Sequence, residues 1–337
     1  MAEGMRAAVV LGSGGARGYA HIGALEVLDE RGFEVVSIAG TSMGALVGGV
    51  AAAGKLEPYT EWARSLTQRE VWRLLDLSIT SPNGAIRAER IIAKVGEILD
   101  GATIEGLPIP YTAVATDINA RREVWFQRGP VEHAIRASIA IPGVITPAVI
   151  NGRVLVDGGL INPIPIEPTA ATSADLTIAV SLSGMRAPGG PTTPVKESSE
   201  PVPRQEWTTR LRRSAADVLE SERFRSITSR FGGHSRDLEP EPAQAPALPP
   251  EALDELPQAP ADALVVRSAD VGLLDLLNMS FDTMSALISR YRMASNPPDV
   301  LVTVPSNAVR TLDFHRAAEM IELGRQLTTE ALDHAGY

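Results

Sequence analysis

The sequence predicts an α/β protein, a three-layer sandwich with a mostly parallel central sheet. Two patterns carry that expectation. Short apolar runs of strand length alternate with longer stretches in which apolar residues recur at helical spacing. The first two strand-to-helix turns are each marked by a glycine cluster. With 337 residues, 44% of them hydrophobic and 21% charged, the chain is long enough and apolar enough to build a large buried core.

Residues 7–11 form the first apolar run. The cluster Gly12-Ser13-Gly14-Gly15-Ala16-Arg17-Gly18 follows, and then Ile22, Leu25 and Leu28 fall on one helical face. Residues 35–39 repeat the pattern. They end on Gly40-Thr41-Ser42-Met43-Gly44, and the small apolar residues of 45–53 suit a helix lying flat on a sheet. Further buried strands are predicted at 111–116, 154–156, 176–180 and 299–304, with helices at 89–99 and 314–327. The stretch 186–262 differs in composition, holding twelve of the 25 prolines. It reads as an insertion or lid between a core at 1–185 and the remainder of the same domain at 263–337. Inside it, residues 206–231 lack proline and set Trp207, Leu211, Val218 and Ile227 among six arginines, a basic amphipathic helix. Two readings of that helix are open: docking on the core, or contact with an anionic membrane surface.

Several function classes are excluded or disfavoured. Without cysteine there is no disulfide, no thiolate metal site and no cysteine nucleophile. A formal net charge of −10 argues against nucleic acid as the main partner. No apolar run reaches the roughly eighteen residues of a membrane span, and the first residues lack the pattern of a secretory signal. The expectation is a cytoplasmic protein, with peripheral contact at the inner membrane surface left open. Oligomeric state is not readable.

Three motifs carry chemistry. Gly40 to Gly44 matches Gly-x-Ser-x-Gly between a strand and a helix, the setting of a nucleophile elbow. Gly40 and Gly44 allow the sharp turn, and Ser42 would stand at a helix N-terminus, where developing negative charge is favoured. For Gly12 to Gly18 a dinucleotide site and a P-loop are the rivals. Counted from Gly12, Arg17 takes the final position of the dinucleotide fingerprint, where a long side chain obstructs close packing. Glu34 precedes the second strand instead of ending it, and no Gly-Lys-Ser/Thr follows. An oxyanion hole remains, with Gly14 and Gly15 as backbone donors worth roughly 3 kcal/mol each in the transition state. The third motif is Asp157-Gly158-Gly159, at the end of an apolar strand. Asp157 is either a catalytic carboxylate or an aspartate that caps its own turn.

In this order, the three motifs resemble the patatin-like phospholipase family across most of the chain. Residues 137–143 (ASIAIPG) with Pro147, then Asn162-Pro163, resemble its bacterial branch related to neuropathy target esterase. Ser13, where many members carry another glycine, and the Pro-rich insertion depart from the pattern. The resemblance implies a patatin-like fold and a serine lipid acyl hydrolase of the phospholipase or lysophospholipase kind. It implies a Ser42/Asp157 dyad, no metal or organic cofactor, and a phospholipid or other fatty-acyl ester as substrate. Head group, acyl position and chain length stay undetermined. Arg17 would orient the glycine loop, meet a lipid phosphate, or pair with an acidic neighbour. His21, His133, His234, His315 and His334 each have a structural explanation, with His133 assigned to a polar turn, so no catalytic histidine is expected. The alternative from another class is a lipid-binding regulatory protein of the same fold with negligible turnover.

Overall fold

The computed structural model describes residues 4–75, 87–187, 196–201, 267–270 and 273–337. The chain falls into two units, Met1–Thr193 with Gly272–Tyr337, and Pro194–Val271. In the first, β1 (Arg6–Leu11) leads through a 3-10 turn at Gly15–Tyr19 into α1 (Ala20–Glu30), and β2 (Glu34–Thr41) turns directly into α2 (Met43–Ala52). There follow α3 (Leu56–Ser65), α4 (Gln68–Leu74), α5 (Glu89–Leu99), β3 (Tyr111–Asp117), β4 (Arg122–Phe126), α6 (Val131–Ser138), β5 (Ala148–Ile150), β6 (Arg153–Asp157) and β7 (Leu176–Gly184). In the second unit, β8 (Lys196–Pro201) pairs antiparallel with β9 (Arg267–Asp270). The first unit closes with α7 (Leu273–Ser295), β10 (Val300–Pro305) and α8 (Ala317–Ala335). The basic helix expected at 206–231 and most of the Pro-rich stretch lie outside the described residues.

The main sheet runs β10-β7-β1-β2-β3-β6-β5, with β4 also paired to β3. From β10 to β3 every pairing is parallel, while β3–β4, β3–β6 and β5–β6 are antiparallel. The expected mostly parallel sheet is therefore present, with an antiparallel margin. Continuous burial along β1, β3 and β7 has a direct cause: helices cover both faces. Val9 and Leu11 point into the main core with α1, α2 and α8, while Val10 points the other way, toward Ile164, Ile166 and Met293 of α7. At the margin, β10 alternates buried and exposed residues, as an edge strand should.

The expected strands and helices of the core are all found. The helices α3, α4 and α6 are not among them, nor are three elements with weak patterns: β4 is half-exposed and charged, β5 is three residues long, and α7 is inside out. Its Ser285 and Ser289 are buried whereas Met284, Leu287 and Tyr291 are exposed, so apolar periodicity could not reveal which side meets the core. Among the described residues, no helix is long and apolar enough to cross a membrane.

The helices α1 and α8 cross without room for side chains between them. A Cβ on Gly23 would lie 2.0 Å from the Ile321 carbonyl oxygen, and one on Gly324 would lie 2.1 Å from that of Ala20. This crossing fixes α1 and, through it, the glycine loop that precedes α1. Gly324→Ala is expected to destabilise the protein by about 1–3 kcal/mol, measured as a lower urea midpoint; an unchanged midpoint would show that the helices part without cost.

Candidate active site

β1 and β2 are adjacent and parallel, so the loops leaving their carboxyl ends emerge side by side, with Leu11 in register with Gly40. The approach is close enough to dictate glycine. A Cβ on Gly44 would stand 2.1 Å from the Leu11 carbonyl oxygen, and one on Gly40 would stand 2.3 Å from that of Gly44. Between them Ser42 has φ 58° and ψ −123°, a strained conformation for a non-glycine residue that lifts its side chain off the strand. Two hydrogen bonds hold the turn. The Ser42 N–H donates to Ser138 Oγ at 2.8 Å, and Ser138 Oγ–H donates to the Val114 carbonyl at 2.6 Å. Behind the turn, Tyr111 Oη–H on β3 donates to the Ala45 carbonyl of α2 at 2.6 Å.

Asp157 arrives by an unexpected route. It ends β6, as the sequence predicts, but β6 runs antiparallel to β3, so its own carboxyl end does not belong to the carboxyl edge of the parallel strands. The strand comes down from that edge for a few residues and stops with Asp157 opposite Ala115, one residue from Val114, which pairs with Thr41. Gly158 permits this placement, because a Cβ there would lie 2.2 Å from the Val114 carbonyl oxygen.

Ser42 and Asp157 meet. Ser42 Oγ–H donates to Asp157 Oδ2 at 2.5 Å, and the Gly159 N–H donates to Asp157 Oδ1 at 2.7 Å. The carboxyl has no exposure and, among the described residues, no cationic partner. Burial pushes it up from 3.8 to about 7, against the opposing pull of the bonds from Ser42 and Gly159. A hydroxyl is thus held against a carboxylate whose basicity is far above its usual level. The bond from Gly159 also makes Asp157 a turn cap, which is the second of the two readings of the motif.

The glycine loop lies beside the pair. Its Gly12 and Ser13 N–H groups are bonded to the Val180 and Pro163 carbonyls, and the Ala16 N–H to that of Thr311. Among the described residues, the Gly14 and Gly15 N–H groups have no acceptor. Gly14 is pressed against Leu182, and Gly15 has φ 57° with its Cα beside Thr311. Arg17 is buried and spent on structure: Nε–H donates to the Gly14 carbonyl at 3.1 Å, one terminal nitrogen bonds the Ser306 carbonyl and the other pairs with Asp282 at 3.2 Å. Of its three expected contacts, those with the loop and with an acidic neighbour are present.

No described histidine bonds Ser42 or Asp157. His21 is buried and its Nε2–H donates to the Gly12 carbonyl at 2.8 Å; burial lowers it to about 4, so it stays neutral. His133 lies on α6 and is exposed, where a polar turn was expected, because residues 131–138 turn Val131, Ala134 and Ile135 inward. His315 sits in a 3-10 turn and His334 in α8. His234 lies outside the described residues. Sequence reasoning gave no role to Ser138, Thr41, Asn162 or Arg292, all hydrogen-bonded around the pair. For Ser138 and Asn162 the motifs around them were the only signal.

From Ser42 an apolar pocket runs between α2, α3, α4 and the 139–145 segment, lined among others by Met43, Leu46, Leu75, Ile139, Ile145 and Phe314.

A family model described as Patatin-like phospholipase matches residues 9–170. An uncharacterized NTE family protein of Mycobacterium tuberculosis is 46% identical over 342 residues, covering 97% of this chain and 91% of its own length. Patatin-like phospholipase domain-containing protein 6 of Homo sapiens is 35% identical over 184 residues, 52% of this chain and 13% of its own. Neuropathy target esterase sws of Drosophila melanogaster is 31% identical over 182 residues, again 52% of this chain and 13% of its own. Among solved structures, VipD from Legionella pneumophila aligns with 99% of this chain and 67% of its own at a TM-score of 0.43 and 12% identity, too distant to bear on the site.

The raised Asp157 carboxyl has a consequence for stability. Its folded pKa lies above its unfolded value, so the folded state keeps a proton that the unfolded chain releases, and stability falls as pH rises from about 4 to about 7. A rise from 3.8 to about 7 corresponds to a loss of the order of 4 kcal/mol across that range. Asp157→Asn is therefore expected to unfold at higher denaturant than wild type at pH 8, with the difference closing toward pH 4; parallel pH profiles for the two proteins would contradict it.

Proposed function

This chain belongs to the patatin-like phospholipase family, among the relatives of neuropathy target esterase, and we propose that it is a serine lipid acyl hydrolase working through a Ser42/Asp157 dyad. Family membership implies lipid acyl hydrolysis in general. The finer reading rests on one observation above all: a strained serine bonded at 2.5 Å to a fully buried carboxylate, at the end of an apolar pocket.

In this mechanism the acyl chain lies in the pocket and the ester carbonyl sits over Ser42. Ser42 Oγ bonds to the carbonyl carbon as its proton passes to Asp157 Oδ2, and the carbonyl π pair moves onto oxygen. The Gly14 and Gly15 N–H groups receive that oxyanion, at a site fixed before the reaction begins. As the carbonyl reforms, the bond to the alcohol breaks and the alcohol takes the proton from Asp157. Water then attacks the acyl-serine, giving its proton to Asp157, and the fatty acid departs as Ser42 recovers its hydrogen. A carboxylate of ordinary acidity would be a poor proton acceptor here. The elevation of Asp157 to about 7 narrows that gap, at the cost of holding the group partly protonated near neutrality. Substrates in this reading are phospholipids, lysophospholipids or other fatty-acyl esters, since all present the same carbonyl.

A fluorophosphonate probe is expected to label Ser42 alone, mapped by mass spectrometry against Ser42→Ala. Ser42→Ala and Asp157→Asn should each abolish p-nitrophenyl ester hydrolysis with near-ultraviolet circular dichroism unchanged. In wild type, kcat/KM should rise with pH through an acid limb near 7. Folded protein without labelling would favour the lipid-binding regulatory alternative, and Asp157→Asn at wild-type rates would refute the dyad.

A further inference from the structure

The segment after Asp157 is held by a helix far away in sequence. On the buried side of α7, Ser285 Oγ–H donates to the Gly159 carbonyl at 2.9 Å. Two turns further on, Arg292 Nε–H donates to the Ile161 carbonyl at 3.1 Å. The same guanidinium pairs with Glu167 at 2.7 Å and with Glu123, on β4, at 3.2 Å. Those two carboxylates also receive the Asn162 side-chain amide, whose Nδ2 donates to Glu123 at 2.6 Å and to Glu167 at 3.3 Å. Burial pushes the Glu123 carboxyl up, but hydrogen bonds from Trp125 and Asn162 and the charge of Arg292 more than offset this, holding it below the usual range. One cation therefore lets two acids converge on one amide.

That amide belongs to a residue tied to both halves of the site. The Asn162 N–H donates to the Gly158 carbonyl at 2.8 Å, closing the turn that follows Asp157. Its carbonyl accepts from Thr41 Oγ–H at 2.8 Å, and Thr41 immediately precedes Ser42. The Asn162 Oδ1 atom is buried and has no partner among the described residues, so the two carboxylates alone fix the side chain. Polar groups that turn inward on a helix need acceptors there, and Ser285 and Arg292 find them in the carbonyls of this segment.

We propose that Arg292 and Ser285 are positioning residues that hold the 158–162 segment, and through it set the approach of Asp157 to Ser42. This deepens the dyad reading and rests on it. With Arg292 gone, Glu123 and Glu167 face each other across Asn162, and their repulsion displaces the amide that links the Asp157 turn to Thr41. Neither residue bonds Ser42 or Asp157 directly. Each acts by keeping a hydrogen bond short, a geometry on which proton transfer depends steeply.

The test uses the whole 337-residue chain, with p-nitrophenyl butyrate as substrate, and thermal unfolding to establish that every variant is folded at the assay temperature. Arg292→Gln is expected to lower kcat about 10–100-fold, with KM changed by less than about twofold. Loosening the bond from Ser42 removes an influence that lowers the Asp157 pKa, so the acid limb of kcat/KM should move to higher pH. Arg292→Lys keeps the charge but not the planar fork, and should recover part of the rate. A folded Arg292→Gln protein with lowered Tm but wild-type kcat and acid limb would reduce the residue to a packing role and overturn the inference. If Arg292→Gln does not fold, Ser285→Ala decides: it cuts a single bond and should lower kcat severalfold with the same displacement of the acid limb, and an unchanged profile would overturn the proposal. Wild type that neither turns over nor labels at Ser42 would refute the proposed function itself, and this inference with it.

Discussion

A hydroxyl can be bonded to a carboxylate with no exposure and no cation beside it only if the surrounding backbone supplies what water would have supplied. That constraint organises the site. Asp157 Oδ2 is taken by Ser42 and Oδ1 by the Gly159 N–H, while Thr116 Oγ–H braces the Asp157 carbonyl at 3.0 Å and the Asp157 N–H donates to the Ala140 carbonyl. Desolvation left over after these bonds sustains the raised pKa. Stability and basicity are thus opposed in one residue, because the charged form that could accept a proton is the form that costs most to bury.

The same closeness explains the glycines without any appeal to chain flexibility. Gly40, Gly44 and Gly158 each lie where a Cβ would stand 2.1–2.3 Å from a backbone carbonyl atom. They are absences of side chain, letting β1, β2 and the end of β6 converge until a serine and an aspartate from distant parts of the chain touch. Strain at Ser42 is held by the Ser138 hydroxyl, which takes the Ser42 N–H and passes a bond on to β3. Positions remote in sequence therefore share one geometry, and α7 joins them by turning Ser285 and Arg292 inward.

Much of this could be read from the chain alone. Apolar runs located the core strands, because strands buried on both faces leave no alternation to misread. The context of Gly40 to Gly44 placed Ser42 at a strand-to-helix corner, and the terminal carboxylate of an apolar strand singled out Asp157. Local chemistry is what these signals report. Strand direction is not: nothing in Arg153–Asp157 says that β6 runs antiparallel. Nor could the charge of Arg17 say which groups it meets; in the fold these are the Gly14 and Ser306 carbonyls and Asp282.

By itself the sequence determined the α/β class, the order of the core elements and the residues capable of chemistry, because hydrophobic period and glycine spacing are short-range properties. Tertiary structure decided which of those residues touch, how strongly Asp157 is desolvated, and which distant groups brace it. Those depend on separations across the sheet and on burial, and α7 is the clearest instance: its outward Met284, Leu287 and Tyr291 and inward Ser285, Ser289 and Arg292 invert the usual pattern, for beneath the helix, beside the apolar cluster that Met293 meets, lie backbone carbonyls and carboxylates that take Ser285 and Arg292.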